Sequence, residues 1–350
     1  MIPPEEPLPD AVERLIDDLV AEAGIAANRT LVRRVLRNAV RLGIEPTDRL
    51  DLKITAAAVE EMREAFALFR PFAGIPKVTV FGSARTRAHD GRYRQAREAA
   101  ALLAARGWMV VMGAGPGIMQ AAAEGAGPRM SLGVSIRLPF EERPNALVAP
   151  DAQQVEMKYF FTRKLMLVKE SRGFICLPGG FGTLDEMFEL LTLQQTGKAV
   201  PTPIVLLDEP GGGFWAGLRR FVQEQLVPNG LIAPDDFDRV LITDSAAAAA
   251  AEVSGFWRNY DSLRWVGDRL VLRMRTPPTD AELAALQTEF GALAKGRIRR
   301  TEPLEAERAD DDRLGLPRLV LRLRPKRVGD LHRLIRAINA LPSAQHVERE

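Results

Sequence analysis

Cysteine, histidine and aromatic residues are scarce in this 350-residue chain. Its one cysteine, Cys176, excludes an internal disulfide and any zinc site that is built from several cysteines. Because Cys176 lies in an apolar run, we predict a buried thiol rather than a nucleophile. The three histidines, His89, His332 and His346, lie in no recognisable catalytic or metal-binding motif. No metal site is therefore expected.

The chain also lacks a long apolar run and a dominant sign of charge. No apolar run approaches the roughly 18 residues that suggest a membrane-spanning helix. The first ten residues, MIPPEEPLPD, are acidic and proline-rich, unlike a signal peptide. Lys and Arg total 48 against 46 Asp and Glu, a formal net charge of +2, which gives no reason to expect a nucleic-acid partner. We expect a soluble, cytoplasmic protein with neither a nucleic-acid nor a membrane partner.

The periodicity of apolar residues divides the chain into three predicted regions. Residues 1–74 form a helical arm, because apolar residues recur at helical spacing from Ala11 to about Phe69, in roughly three helices. Over residues 75–260, strand-like and helix-like segments alternate, with one helix expected from about Val155 to Glu170. Parallel strands need crossover connections, so this alternation predicts an α/β fold, a Rossmann-like doubly wound parallel sheet.

Residues 261–350 are predicted to form a small α+β appendage. The order of elements after Asp261 is strand, helix, strand, strand and helix, which suggests a ferredoxin-like unit. Two of the strands, RLVLRMR (269–275) and RLVLRLR (318–324), alternate Leu or Val with Arg. The alternation indicates a sheet with one buried face and an edge of cations. A regulatory anion site is the alternative.

Three strands of the α/β region are each followed by a turn of small residues. The turns hold Gly82 and Ser83; Gly113, Gly115 and Gly117; and Gly179, Gly180 and Gly182. Open parallel sheets bind ligands at the carboxyl ends of their strands, where such turns meet. The second turn is not G-x-G-x-x-G, so it favours close approach of a nucleotide, or a plain tight turn, over NAD binding. Together the turns predict a phosphorylated ligand.

The third turn belongs to the stretch FICLPGGFGTLDE (174–186), a strand, a glycine turn and the start of a helix. Bare backbone N–H groups and the positive end of the helix dipole favour an anion there. Thr183 and Glu186 have the spacing of a capping box, but they also supply a hydroxyl and a carboxylate beside the anion site. Arg163 and Lys164 lie on the preceding helix. They are either two solvent-exposed cations or lie over the same edge of the sheet as the glycine turns.

These motifs resemble those of the LOG (Lonely Guy) phosphoribohydrolases. Residues 179–186, GGFGTLDE, resemble the family's PGGxGTxxE signature, and Arg163-Lys164 resemble its preceding Arg-Lys pair. The loop Gly113 to Met119 stands where the family has GGGxxGLM. The resemblance covers roughly residues 75–245, and the additional regions resemble a longer bacterial branch that is sometimes labelled AMP nucleosidase.

The resemblance implies hydrolysis of the N-glycosidic bond of a nucleoside 5′-monophosphate, without a cofactor, by a homodimer or larger homo-oligomer whose sites lie near a subunit interface. By position, Arg163 and Glu186 would be the catalytic pair. Phosphate-binding and neighbouring residues would be Gly180, Phe181, Gly182, Thr183, Lys164 and Thr192. The histidine that the family usually carries two residues before Arg163 is Phe161 here, and the glycine loop reads GAGPG, so the resemblance identifies neither the preferred base nor cytokinin activation.

A non-catalytic nucleotide or molybdenum-cofactor carrier on the same fold is the alternative function. A carrier needs the glycine turns but no catalytic carboxylate. The presence of both Arg163 and Glu186 therefore favours the enzyme.

Overall fold

The computed structural model describes residues 7–137, 153–324 and 328–344. The chain divides between Arg63 and Glu64 into two compact units. The predicted regions 1–74, 75–260 and 261–350 remain a prediction as domains, because the larger unit holds both sheets.

Helices make up the first unit, as the sequence predicts. They are α1 (Asp10–Glu22), α2 (Arg29–Ile44) and the greater part of α3 (Arg49–Phe69). Ile16 and Val20 of α1 are buried. Arg33 and Arg37 of α2 form ion pairs with α1, Arg33 with Asp17 at 2.7 Å and Arg37 with Glu13 at 2.6 Å.

A seven-stranded sheet, parallel throughout, forms the centre of the larger unit, which confirms the predicted Rossmann-like α/β fold. Its strands are β1 (Lys77–Phe81), β2 (Met109–Met112), β3 (Ser131–Ile136), β4 (Gln154–Met157), β5 (Phe174–Cys176), β6 (Ile204–Leu207) and β7 (Val240–Thr243). The spatial order is β4-β3-β2-β1-β5-β6-β7, so the winding direction reverses between β1 and β5. Such a switch point is where open α/β sheets bind ligands.

Helices connect these strands. They are α4 (Gly91–Ala105), α5 (Ile118–Ala126), α6 (Phe160–Lys169), α7 (Phe181–Gln195), α8 (Phe214–Phe221) and α9 (Ala246–Gly255). Alanines 96, 99 and 100 of α4 are buried, which lets α4 pack closely on α5. Cys176 is fully buried in β5, as predicted.

The helix predicted from about Val155 to Glu170 is wrong in its first part. Residues Gln154–Met157 form the edge strand β4, paired with β3, and α6 begins only at Phe160. Four residues carry too little periodicity to distinguish a strand from a helical turn, and their pairing with β3 is a tertiary contact. The shorter helix begins next to the sheet edge, three residues before Arg163.

A four-stranded antiparallel sheet forms the C-terminal part of the larger unit. Its elements are β8 (Tyr260–Val266), β9 (Arg269–Met274), α10 (Asp280–Phe290), β10 (Arg299–Arg300), α11 (Glu305–Ala309), β11 (Arg318–Leu321) and α12 (Val328–Ala340). The order β10-β11-β9-β8 places β11 between the parallel strands β9 and β10, a split βαβ arrangement. The predicted α+β appendage is thus confirmed, with β8 as a strand that the sequence pattern did not reveal.

One arginine of each Arg-rich strand, Arg273 and Arg318, is buried and neutralised inside the protein, whereas the arginines at the strand ends are exposed. Arg273 of β9 lies opposite Arg318 of β11, and both side chains contact the fully buried carboxylate of Glu307, at 2.7 and 3.0 Å. Asp312 adds a second carboxylate at 2.8 Å from Arg273. The acidic segment 305–312 therefore supplies the counter-charge that two facing buried arginines require.

Candidate active site

The three small-residue turns line one cavity of about 1030 Å³ above the carboxyl ends of the strands. Ser83 follows β1, Gly113 follows β2, and Gly179 follows β5, so the cavity spans the switch point. The prediction that these turns share one edge of the sheet is confirmed.

The turns approach each other so closely that side chains would not fit. A Cβ at position 113 would collide with the guanidinium of Arg163, and one at 179 would collide with the hydroxyl of Thr183. The same Cβ at 179 would lie 3.1 Å from the backbone N of Ser83. Gly117 adopts φ +69° where its Cα packs against the Ser83 carbonyl, and it does not itself line the cavity. Because position 179 has no side chain, the Ser83 N–H and the Thr183 hydroxyl both lie next to the Gly179 backbone.

Helix α7 begins at this place without a side-chain cap. Its N-cap is Gly180, and no side chain accepts a hydrogen bond from the first turn. The first N–H groups of an α-helix have no partner within the helix, so those of Phe181, Gly182 and Thr183 are available to an anion. The capping-box interpretation of Thr183 and Glu186 is wrong, because the helix starts before Thr183.

Glu186 instead faces Arg163 of α6 across the cavity. Arg163 Nη1 lies 3.4 Å from Glu186 Oε1, and the two side chains are 10% and 11% exposed. Arg163 Nε donates a hydrogen bond to the Val134 carbonyl of β3 at 2.9 Å. The guanidinium is therefore fixed to the sheet on one side and holds the carboxylate on the other.

Burial dominates the electrostatics of this pair. Loss of solvation raises the pKa of Glu186 to about 7, while the Arg163 guanidinium acts in the opposite direction. Burial likewise lowers the pKa of Arg163, and Glu186 partly offsets this. A carboxyl with a pKa near 7 can accept or release a proton near neutral pH.

Lys164, next to Arg163, lines the same cavity but forms ion pairs with α7. Its Nζ lies 3.1 Å from Asp185 and 2.6 Å from Glu189. Burial by itself lowers the pKa of Lys164, but the hydrogen bonds to Glu189 and Asp185 raise it overall. The Lys164 ammonium thus ties α6 to α7 and positions the helix that carries Glu186.

Most of the sequence-predicted site residues lie together around the cavity. They are Gly82, Ser83, Gly113, Gly115, Arg163, Lys164, Gly179, Gly180, Phe181, Gly182, Thr183 and Glu186. Thr192 does not join them. It is exposed on α7, about three turns after Phe181.

Several lining residues were not predicted. Arg85 lies two residues after Ser83, and Arg137 and Glu156 at the ends of β3 and β4 form an ion pair at 2.7 Å. Phe160 and Phe214 add aromatic surface. The position of Arg85 directly after a small-residue turn is the one signal that could have identified it, whereas Glu156 depended on recognising β4.

Neither a metal cluster nor a membrane span is found in the part of the chain that the structure describes. No group of three or more His, Cys, Asp or Glu side chains among those residues could hold a metal ion. No described helix combines the length and apolar character needed to cross a membrane.

Comparison with known proteins identifies relatives of the α/β region. Residues 114–253 match the family described as "Possible lysine decarboxylase". The chain is 33% identical over 159 residues to a cytokinin riboside 5′-monophosphate phosphoribohydrolase of Mycobacterium tuberculosis, an alignment covering 44% of this chain and 81% of the relative. The Mycobacterium marinum protein of the same name is 31% identical over 41% of this chain and 76% of its own length. A solved structure, the molybdenum cofactor carrier protein of Chlamydomonas reinhardtii, matches with a TM-score of 0.37 and 21% identity over 51% of this chain and 96% of that one.

Proposed function

The chain belongs to the LOG family, and from this premise we propose that it hydrolyses the N-glycosidic bond of a nucleoside 5′-monophosphate, AMP or a related nucleotide, to the free base and ribose 5-phosphate. The buried Arg163–Glu186 pair in the cavity is the observation that carries this proposal. Glu186 can exchange a proton near neutral pH, and the start of α7 beside it can bind a phosphate. Cleavage of a phosphorylated nucleoside needs both of these properties.

The strand order suggests how the nucleotide lies. The uncapped start of α7 and the Ser83 N–H, at the switch point between β1 and β5, would bind the 5′-phosphate. Adjacent strands are about 4.8 Å apart, so β3 lies roughly 10 Å from β1, and the ribose and base would extend from the phosphate toward β3. The base would then face Arg137 and Glu156, and the glycosidic bond would lie between, near Arg163 and Glu186.

The proposed chemistry follows from the charge that develops on the sugar. As the C–N bond breaks, positive charge accumulates at C1′ and O4′, as in glycoside hydrolysis. Ionised Glu186 stabilises this charge and takes a proton from the attacking water, whose hydroxyl adds to C1′. The departing base takes up a proton from solvent, and protonated Glu186 releases its proton to solvent, which regenerates the carboxylate and balances the reaction. Arg163, fixed through Val134, orients Glu186.

Decarboxylation, suggested by the description of the matching family, has less support. A pyridoxal phosphate enzyme forms a Schiff base through a neutral lysine amine. Lys164 is the one lysine among the described residues that line the cavity. Its ion pairs with Asp185 and Glu189 favour the charged ammonium, which is not a nucleophile.

We also propose that the protein acts as a homodimer or larger homo-oligomer. The surface of α6 and α7 beside the cavity, here called the aromatic face, consists of Phe160, Phe161, Leu165, Phe181 and Phe188. All five side chains are exposed, Phe181 to 93%. Contiguous exposed apolar surface indicates an interaction site. A second copy covering this face would contact Thr192, which lies on the same stripe of α7 as Phe181 and Phe188.

Product analysis tests the activity directly. The protein is incubated separately with AMP, GMP, IMP, CMP and UMP, and free base and ribose 5-phosphate are quantified by chromatography. We expect release of both products in equal amounts from at least one nucleotide. Tight nucleotide binding without turnover of any of the five would refute the hydrolase and favour the non-catalytic carrier.

Two single-atom replacements on α7 provide the matched comparison. Glu186→Gln keeps the size and hydrogen-bonding capacity of the side chain but removes its charge, so we expect at least a 100-fold loss of kcat with retained binding. Asp185→Asn changes the adjacent carboxylate, which is 59% exposed and points to Lys164. We expect that variant to keep most of its activity.

A further inference from the structure

We propose that Arg85 is a specificity-determining residue that binds the 5′-phosphate of the substrate from the side that helix α7 leaves open. This inference rests on the proposed function. It predicts that the phosphate is held by one guanidinium in addition to backbone N–H groups. Selection of nucleotides over nucleosides then depends on this side chain.

The backbone that carries Arg85 is fixed against the phosphate-binding turn. The Ser83 carbonyl accepts a hydrogen bond from Ile118 N at 3.1 Å, and the Ser83 hydroxyl accepts one from Arg85 N at 3.1 Å. A Cβ at Gly82 would lie 2.6 Å from the Ile118 side chain, so the turn is pressed onto the start of α5. Because Ser83 N also lies beside Gly179, the Arg85 side chain starts within reach of the first turn of α7.

Among the described residues, Arg85 differs from the other cations that line the cavity because it has no carboxylate partner. Arg137 is paired with Glu156, Arg163 with Glu186, and Lys164 with two carboxylates of α7. Within the described parts of the chain, no side-chain hydrogen bond or ion pair is found for Arg85. An unpaired guanidinium is therefore left for an anionic ligand, and Arg suits phosphate because two of its N–H groups can bind two oxygens.

Arg85 is exposed and lies where two spaces meet. The side chain borders both the main cavity and a neighbouring recess of about 290 Å³, and both spaces are also lined by Ser83 and Gly179. The second cation of the recess, Arg92, is held by Asp90 at 2.8 Å. Of the cations that the structure describes, Arg85 is thus the one that borders both spaces, and it lies on the outer side of the proposed phosphate position.

Binding without turnover gives the decisive test. The full chain and its Arg85→Gln variant are titrated with ribose 5-phosphate and with ribose in a calorimeter. A charge-assisted hydrogen bond lost from phosphate should raise the Kd for ribose 5-phosphate about 10- to 100-fold and leave any ribose binding unchanged. Arg85→Lys should recover part of the affinity, since it keeps the charge but not the paired N–H groups. Thermal unfolding of each variant verifies that the fold is intact.

Arg87→Gln is the matched control. Arg87 lies in the same loop and is exposed, but it does not line either space. We expect wild-type affinity for ribose 5-phosphate. Equal affinity of wild type and Arg85→Gln, or no measurable binding of ribose 5-phosphate to the wild type, would overturn the proposal.

Steady-state kinetics separate this inference from the proposed function. With a nucleotide that is turned over, Arg85→Gln should raise KM by the same 10- to 100-fold factor, with kcat within about threefold, because phosphate is bound equally in the ground and transition states. Arg85-dependent binding of ribose 5-phosphate by a protein that hydrolyses no nucleotide would refute the hydrolase alone. Turnover with an unchanged KM in Arg85→Gln would refute the role of Arg85 alone.

Discussion

Replacing Glu186 by Gln should stabilise the protein at alkaline pH while it abolishes the proposed activity. The Glu186 side chain is 11% exposed, and burial raises its pKa to about 7 from an ordinary 4.5. Between these two pH values the folded state keeps a proton that the unfolded chain has released. Stability therefore falls as pH rises through this window, and the full cost is present above pH 7.

The magnitude follows from the size of the shift. Each pKa unit corresponds to about 1.4 kcal/mol, so a shift of about 2.5 units costs roughly 3 kcal/mol once Glu186 is ionised in both states. At pH 5 most of this cost is absent, because the folded carboxyl is still protonated. Gln carries no charge at any pH. Relative to wild type, the variant should thus gain about 2 to 3 kcal/mol between pH 5 and pH 8.5.

Urea unfolding at fixed protein concentration measures this gain. Trp108 and Trp215 are buried in the larger unit, and their fluorescence follows its unfolding. Wild type and Glu186→Gln are compared at pH 5 and at pH 8.5, with Asp185→Asn as the control for loss of an exposed carboxylate on the same helix. The control should show a much smaller change between the two pH values, because Asp185 contributes less than burial to the raised pKa of Glu186. If the stability difference between Glu186→Gln and wild type does not change with pH, the inference that burial raises the pKa of Glu186 is wrong.

Three further predictions concern activity, assembly and the second sheet. If ionised Glu186 is the active form, kcat/KM should rise with pH through about 7 and level off above it. A pH–rate profile measures this dependence. A flat profile from pH 5 to 8 would contradict the role of Glu186. Phe181→Asp should reduce the oligomer mass measured by light scattering. Phe221 on α8 is also exposed but lies outside the aromatic face, so Phe221→Asp should leave the mass unchanged. An unchanged mass for Phe181→Asp would argue against the aromatic face as the interface. Glu307→Ala should destabilise the larger unit by about 3 kcal/mol or more, since it removes the carboxylate partner of buried Arg318 and leaves buried Arg273 with Asp312 alone. Glu305→Ala, at an exposed position, should be nearly neutral in the same urea titration.

Local sequence patterns predicted the parallel sheet and the edge on which the cavity lies. Each glycine turn follows a buried apolar strand directly, and the carboxyl ends of parallel strands necessarily share one edge of the sheet. These features depend on neighbouring residues only. The helices α1 to α3 were likewise predictable from the spacing of their apolar residues.

The features that the sequence did not predict depend on partners far along the chain. Strand β4 has four residues and is defined by its pairing with β3, about 20 residues earlier. Strand β8 has the polar residues Asp261 and Ser262 directly after its first residue, Tyr260, and its register with β9 shifts there, so no simple alternation marks it. Arg273 of β9 and Arg318 of β11 suggested an exposed edge because their counter-charge, Glu307, belongs to a helix between the strands.

The position of Glu186 shows that the start of the helix must be known before a role can be assigned to a T-x-x-E motif. A capping box would make Thr183 the residue before the helix and Glu186 its third position. The helix instead begins at Phe181, which places Glu186 in its second turn, on the side that faces α6. A carboxylate there cannot reach the free N–H groups of the first turn, and burying it is unfavourable. Its partner Arg163 does not restore an ordinary pKa, so the pair is poorly explained as a stabilising ion pair. A role in proton transfer in the cavity would explain why a carboxylate is buried at this unfavourable position. As Glu186 ionises, stability is expected to fall and activity to rise, so the two measurements test the same ionisation independently.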